Sequence, residues 1–259
     1  MNMKKHTFTI LMSASIPTQE RSAEFRKIPN AQIQIEQAVI ALARNVFQAG
    51  GRMVFGGHPS ISPLVLMVAT EYNLDKGIES PDRNQSQAKP IVIYQSNAFK
   101  DVISDKTYEL FNLGYAEIEW TEAFEDEKCN PSIKGTTQCE KSLTLMREKM
   151  MTENPAALVC IGGMEGVVEE FNLFRAKYPY KPVYLFEPTG GASRNLAEEY
   201  RNSNNVKIID KPSYNFTRAD SIEDNKQEKQ DNEQERIEII PYTFMTALVV
   251  RDLLERNNQ

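Results

Sequence analysis

The stretch Ala156-Ala-Leu-Val-Cys-Ile-Gly-Gly-Met-Glu-Gly-Val-Val-Glu-Glu-Phe-Asn-Leu-Phe174 passes from a buried strand through a glycine turn into an amphipathic helix, with no spare residues. A strand that ends this way presents backbone N–H groups at a helix N-terminus, where those donors and the helix dipole favour an anion. Gly162, Gly163 and Gly166 let a phosphate or ribose reach the backbone with no Cβ in the way, and Met164 and Glu165 lie between them in the same turn. The turn is therefore a candidate nucleotide-binding loop. Glycine turns after buried strands also serve as plain turns in any α/β protein.

A second loop has the same construction. Gly51-Arg-Met-Val-Phe-Gly-Gly-His-Pro-Ser-Ile-Ser-Pro-Leu64 runs from a short apolar strand, Met53 to Phe55, into Gly56 and Gly57. His58, Ser60 and Ser62 follow, and Pro63 suits the first position of a helix. Near the start, Thr9-Ile-Leu-Met-Ser-Ala-Ser-Ile-Pro17 ends a strand with Ser13 and Ser15. Strand ends rich in Gly and Ser fit a crevice at the carboxyl edge of a parallel sheet, where open α/β folds bind ligands.

Along the chain, strands and helices alternate. Strands are expected at Thr7 to Met12, Met53 to Phe55, Ile91 to Tyr94, Glu117 to Trp120, Leu158 to Ile161 and Pro182 to Phe186. Helices are expected from Asn30 as N-cap, from Pro63 to Tyr72, from Phe99 to Leu113, from Ser142 as N-cap to Met151, and from Gly166 to Tyr178. Glu125 to Thr137 reads as a loop. This alternation implies an α/β fold with a doubly wound, mostly parallel sheet. Arg218 to Arg236 carries almost no apolar residue and cannot support a packed core. The expected organisation is a domain over 1–215, a charged linker or exposed insertion over 216–236, and a strand and helix over 237–259 that return to the domain or to a partner.

Composition sets the limits. The chain has 259 residues, 41% hydrophobic and 25% charged, as in an ordinary soluble domain. A net charge of −6 argues against a nucleic-acid partner, which would meet a basic stripe. Three cysteines, Cys129, Cys139 and Cys160, lack metal-type spacing and point to a reducing, cytoplasmic setting. Phe8 to Met12 is too short for a secretion signal, and no run approaches the ~18–20 apolar residues of a membrane span. Neither metal nor cofactor is expected.

Two adjacent glutamates on the helix after Gly163 are separated by geometry. At about 100° per residue, Val167, Phe171, Phe174 and Tyr178 form one apolar stripe. Glu170 lies roughly 60–70° from that stripe, while Glu169 lies on the opposite side and is expected to matter little. Glu170 is then either a carboxylate for ribose hydroxyls or glycosidic chemistry, or a surface acid favoured by the helix dipole. Arg147 and Lys149, on the preceding helix, are either solvated or, for Arg147, a phosphate clamp. His58 is either a ligand contact or a satisfied loop histidine. Glu187 to Ser193, with Gly190 and Gly191, is either a source of ribose or base acceptors or a simple turn. No Ser-His-Asp order, paired-cysteine motif, P-loop lysine or G-x-G-x-x-G fingerprint is present.

From about Thr7 to Ser193 the sequence resembles the SLOG superfamily, a Rossmann-like group that includes the lonely-guy cytokinin-activating enzymes, DprA-like proteins and the ligand-sensing domains of TRPM-type channels. Met53-Val-Phe-Gly-Gly57 with Ser60-Ile-Ser-Pro-Leu64 is similar to the group's first loop. Ile161-Gly-Gly-Met-Glu-Gly-Val-Val-Glu-Glu170 is similar to the second, which in the enzymes reads PGGxGTxxE and sets its glutamate on Glu170. Ile161 stands in place of the proline, Val167 in place of the threonine, and Glu165 is an added residue. Arg147 is the nearest candidate for the enzymes' arginine, about one position off. The resemblance implies a nucleotide or ADP-ribose-like ligand, as in sensory domains of bacterial defence systems that bind NAD-derived nucleotides. A homo-oligomer or an effector protein is the implied partner. The alternatives are a nucleoside 5'-monophosphate phosphoribohydrolase, with Glu170 and Arg147 acting on the ribose phosphate, and a scaffold whose glycine loops are only turns.

Overall fold

Short runs of consecutive apolar residues lay down a sheet whose central strands are buried on both faces. In the computed structural model, which describes residues 7–17, 30–75, 89–127, 139–210 and 240–257, the strands are β1 (Thr9–Ser15), β2 (Arg52–Gly56), β3 (Ile91–Ser96), β4 (Ala116–Thr121), β5 (Ala157–Gly162), β6 (Val183–Phe186) and β7 (Val206–Ile209). All pair in parallel, in the order β4-β3-β2-β1-β5-β6-β7. This is the Rossmann-like, doubly wound α/β arrangement expected.

The helices are α1 (Ala31–Gln48), α2 (Ser62–Asp75), α3 (Asp105–Asn112), α4 (Glu140–Met150), α5 (Glu165–Lys177), α6 (Gly191–Tyr200) and α7 (Tyr242–Asn257). Alternate strand residues sort them into two layers. Ile10, Met12, Met53, Phe55, Val159 and Ile161 pack with α1, α2, α3 and α7. Leu11, Val54, Leu158, Cys160 and Leu185 pack with α4, α5 and α6. The chain leaves β1 toward β2 and later returns to β1 from the other side through β5, so β1 and β5 flank the topological switch point. Their pairing sets Ser13 against Cys160 and Ser15 against Gly162, which brings two loops together at the carboxyl edge.

Several local expectations change. Asn30 does precede α1, but in the left-handed region (φ 53°) with no capping bond from its side chain. Ser142 is not an N-cap. It is buried in the first turn of α4, where its hydroxyl donates to Glu127 and accepts from the Phe124 N–H. The single helix expected over Phe99 to Leu113 is split into a 3-10 turn, Asn97–Val102, and α3, because Ser96 and Ser104 each cap a separate start. β7 is an addition to the expected strands: Val206 is buried, but Ile208 and Ile209 are only partly covered at the sheet edge.

The last helix returns to the domain. α7 packs on α1, where Asn45 donates to Thr246 Oγ1 at 2.7 Å. Asp252 of α7 accepts hydrogen bonds from Tyr184 on β6 and from Lys207 on β7. The segment 216–236 and the expected strand at Ile237 to Ile240 lie outside the described residues, apart from Ile240. Cys160 is a buried free thiol, and Cys129 lies outside the described residues. No described helix is long and apolar enough to cross a membrane.

Candidate functional site

The carboxyl ends of β1, β2 and β5 are joined by a closed chain of contacts. Ser15 Oγ lies 3.5 Å from where a Cβ on Gly163 would stand. Three residues on, Gly166 in the first turn of α5 is closer still to Arg147 of α4: a Cβ there would meet Nη2 at 3.1 Å. Met146, beside Arg147, comes to 3.6 Å from a Cβ on Gly56. From Gly56 the second loop continues to His58 and Ser60, whose hydroxyl and Nδ1 are 2.7 Å apart. Ser60 Oγ accepts from the Ile16 N–H at 3.4 Å, which closes the chain back to Ser15. Gly56, Gly57, His58, Ser60, Ser15, Met164 and Gly166 are all partly open to solvent. Among the described residues no side chain caps the N-terminus of α5, where the first helical N–H groups lack intrahelical acceptors.

Gly162 and Gly163 take a different role from the one expected. Both are buried and both have positive φ, +59° and +81°. Their N–H groups are already used: Gly162 donates to Thr189 Oγ1 at 2.8 Å and Gly163 to the Ser15 carbonyl at 3.0 Å. A Cβ on Gly162 would stand 2.3 Å from Ile35 Cδ1, and one on Gly163 would stand 2.2 Å from Val167 Cγ2. These glycines shape the turn and hand the chain to α5. Gly191 is likewise a packing glycine, because a Cβ would lie 2.5 Å from the Gly163 carbonyl. Gly190 is buried beside it, and the Glu187 carboxylate pairs with Arg201 at 2.8 Å.

Beneath the mouth lies a small charged cluster. Glu170 points from α5 onto the sheet, as the helical-face geometry requires, and its side chain is only 13% exposed. Burial raises its affinity for a proton, while the Ser13 hydroxyl and the Arg147 charge pull it down; the net shift is upward. Ser13 Oγ faces this carboxyl from β1 but forms no hydrogen bond of good geometry with it. Burial also pushes the Cys160 thiol up, helped by the Glu170 charge.

Arg147 is not solvated. It is buried, its Nε stands 3.7 Å from Glu170 Oε1, and its Nη1 pairs with Glu169. Nε has no hydrogen-bond partner among the described residues. Glu169, expected to be irrelevant, is thus half-exposed yet holds the arginine. Lys149 is exposed, as is Glu165. Thr189 and the buried Gln95, whose Oε1 would lie 2.5 Å from a Cβ on Gly57, also frame the loops. Neither stood out in the sequence, although Thr189 precedes a double glycine, as Ser and Thr at such turns often do.

Chemically, the cluster offers one fixed cation, two carboxyls and a set of helix-end donors. It can hold an anion beside a hydroxyl-bearing group, and it can keep a proton on Glu170 at a pH where an exposed glutamate has lost its own. No group of three metal-ligating side chains exists among the described residues.

The sequence profile of the SLOG cluster3 family matches residues 25–216. No curated protein matches the chain. Among solved structures, the chain is similar to the X-ray structure of TM1055, a Northeast Structural Genomics Consortium target, at 16% identity over 74% of this chain and 81% of that one, with a TM-score of 0.38.

Proposed function

This chain belongs to the SLOG cluster3 family, a membership that supports a nucleotide-related function, and we propose that it binds an NAD- or ADP-ribose-derived nucleotide at the carboxyl edge of β1 and β5. In this role it serves as a sensor or effector component, of the kind found in bacterial antiviral defence. The observation that carries the proposal is Arg147: buried, with no hydrogen-bond partner for Nε among the described residues, and set against Gly166 at a helix N-terminus that no described side chain caps. A phosphate there meets a permanent cation and the first-turn donors of α5 together. Ser15 and Glu170 lie within the same group of residues and suit ribose hydroxyls. Passing the signal on requires a second protein surface, an identical subunit or an effector.

Phosphoribohydrolase chemistry is the second reading, favoured by the 3.7 Å approach of Arg147 to Glu170. Against it stands Val167, which is buried against Gly163 and supplies no hydroxyl. Glycosidic cleavage is also sensitive to placement, and a misplacement of ~1 Å can cost about 100-fold. The test is incubation with AMP, cytokinin-type nucleotides, NAD and ADP-ribose, with calorimetry for binding and chromatography for products. Binding of one or more with only traces of released base is expected. Multiple turnovers that vanish in Glu170→Gln would establish the enzyme instead, and no binding at all would leave a scaffold.

A further inference from the structure

We infer that Glu169 is an internal anion that occupies Arg147 in the empty site and is displaced by the ligand's phosphate; this rests on the nucleotide-binding function proposed above. Arg147 is held by two carboxylates of unequal freedom. Glu170 is 13% exposed and fixed against the sheet, whereas Glu169 is 44% exposed and has solvent to move into. The two also engage the guanidinium differently. Glu169 pairs directly with Nη1, while Glu170 remains 3.7 Å from an Nε that has no hydrogen-bond partner. Nη2 faces Gly166 in the first turn of α5.

An incoming phosphate that uses Nη1 and Nη2 as a fork therefore meets Glu169, and only Glu169, at its edge of the guanidinium. With both carboxylates ionised and in place, the cluster of one cation and two anions repels a further anion. Once Glu169 swings out, a phosphate can take its place on Nη1 and reach Nη2 as well, as a bidentate pair. The half-exposed glutamate thus sets a threshold for phosphate binding, and a substitution that removes an ion pair strengthens the ligand.

The experiment compares wild type, Glu169→Gln and Glu148→Gln by calorimetry with AMP, ADP-ribose and adenosine, at low and high salt. Glu148 neighbours Arg147 on α4 but is exposed, so its substitution removes one negative charge nearby without opening the pair. Gln matches Glu in helix propensity, which keeps α5 intact. Glu169→Gln is expected to bind AMP and ADP-ribose about fivefold more tightly than wild type, with a smaller gain at high salt. Adenosine should be unaffected, and Glu148→Gln should stay near wild type. Equal affinities in wild type and Glu169→Gln overturn the displacement and leave nucleotide binding standing, as does an equal gain for adenosine or for Glu148→Gln. Failure of wild type and both variants to bind any nucleotide overturns the binding function and the displacement together.

Discussion

Gly166→Ala adds a single methyl group at the point where the mouth of the crevice meets Arg147. Gly166 is the second residue of α5 and has an ordinary helical backbone, unlike Gly162 and Gly163 with their positive φ. Alanine is better than glycine in a helix by up to about 1 kcal/mol, and roughly half of that applies in a first turn. Against this gain, the new Cβ would stand 3.1 Å from Arg147 Nη2, so the guanidinium must retreat by a few tenths of an ångström. Its partner Glu169 is half-exposed and can follow. Stability is therefore expected to change by no more than about 1 kcal/mol in either direction. Ligand binding has no such freedom, since the methyl fills the gap between the helix-end donors and the arginine. A tenfold or greater loss of ADP-ribose affinity, about 1.4 kcal/mol, is expected by calorimetry, alongside a thermal midpoint close to wild type. An affinity within about twofold of wild type, in a protein that melts no earlier, refutes the phosphate position. Gly163→Val cannot serve as this probe, because a Cβ at φ +81° would collide with Val167 and disturb the fold itself.

Gly162→Ala should destabilise the protein by about 2–4 kcal/mol in chemical denaturation, from its positive φ and the 2.3 Å approach to Ile35 Cδ1; a loss below about 1 kcal/mol would contradict the tight loop. Glu170 has a raised proton affinity in the fold, so its contribution is fully present below the ordinary glutamate value of 4.5 and is lost as pH rises through the folded value. Glu170→Gln should accordingly melt like wild type in acid and later than wild type at neutral pH, and the opposite trend in a pH series of thermal melts would show that Arg147 dominates. Asp252 runs the other way: burial alone would push its carboxyl up, but hydrogen bonds from Lys207, Tyr184 and Arg256 hold it below its ordinary 3.8. Asp252→Asn should cost about 1–3 kcal/mol at neutral pH, and the difference should fade as acid takes the wild type through the folded value; a pH-independent difference would mean that α7 is held by packing alone.

Features coded within one element were legible before the structure. The buried runs at Leu158 to Ile161 and Met53 to Phe55 gave their strands, and the spacing of Val167, Phe171 and Phe174 turned Glu170 toward the sheet. Contacts between elements were not. The helical wheel assigned Glu169 to the outer side but could not show that Arg147, on a different helix, lies within reach of it. That Gly162 and Gly163 are already satisfied donors is hidden in the sequence, because their acceptors, Thr189 and Ser15, come from other elements. Ser142 has the residue type of an N-cap, yet it donates to Glu127 from inside the first turn. β7 is a four-residue edge strand in which only Val206 is buried, and so short a run carries a weak apolar signal.

A crystal structure of the complex with ADP-ribose tests the central claim most directly. The diphosphate should lie at the N-terminus of α5, against Gly166 and Arg147, with the ribose toward Ser15 and Glu170 and with Glu169 turned out to solvent. ADP-ribose seated instead at the opposite end of the sheet, in the groove of about 340 Å³ lined by Asn154, Tyr180, Lys181 and Arg256, would contradict it.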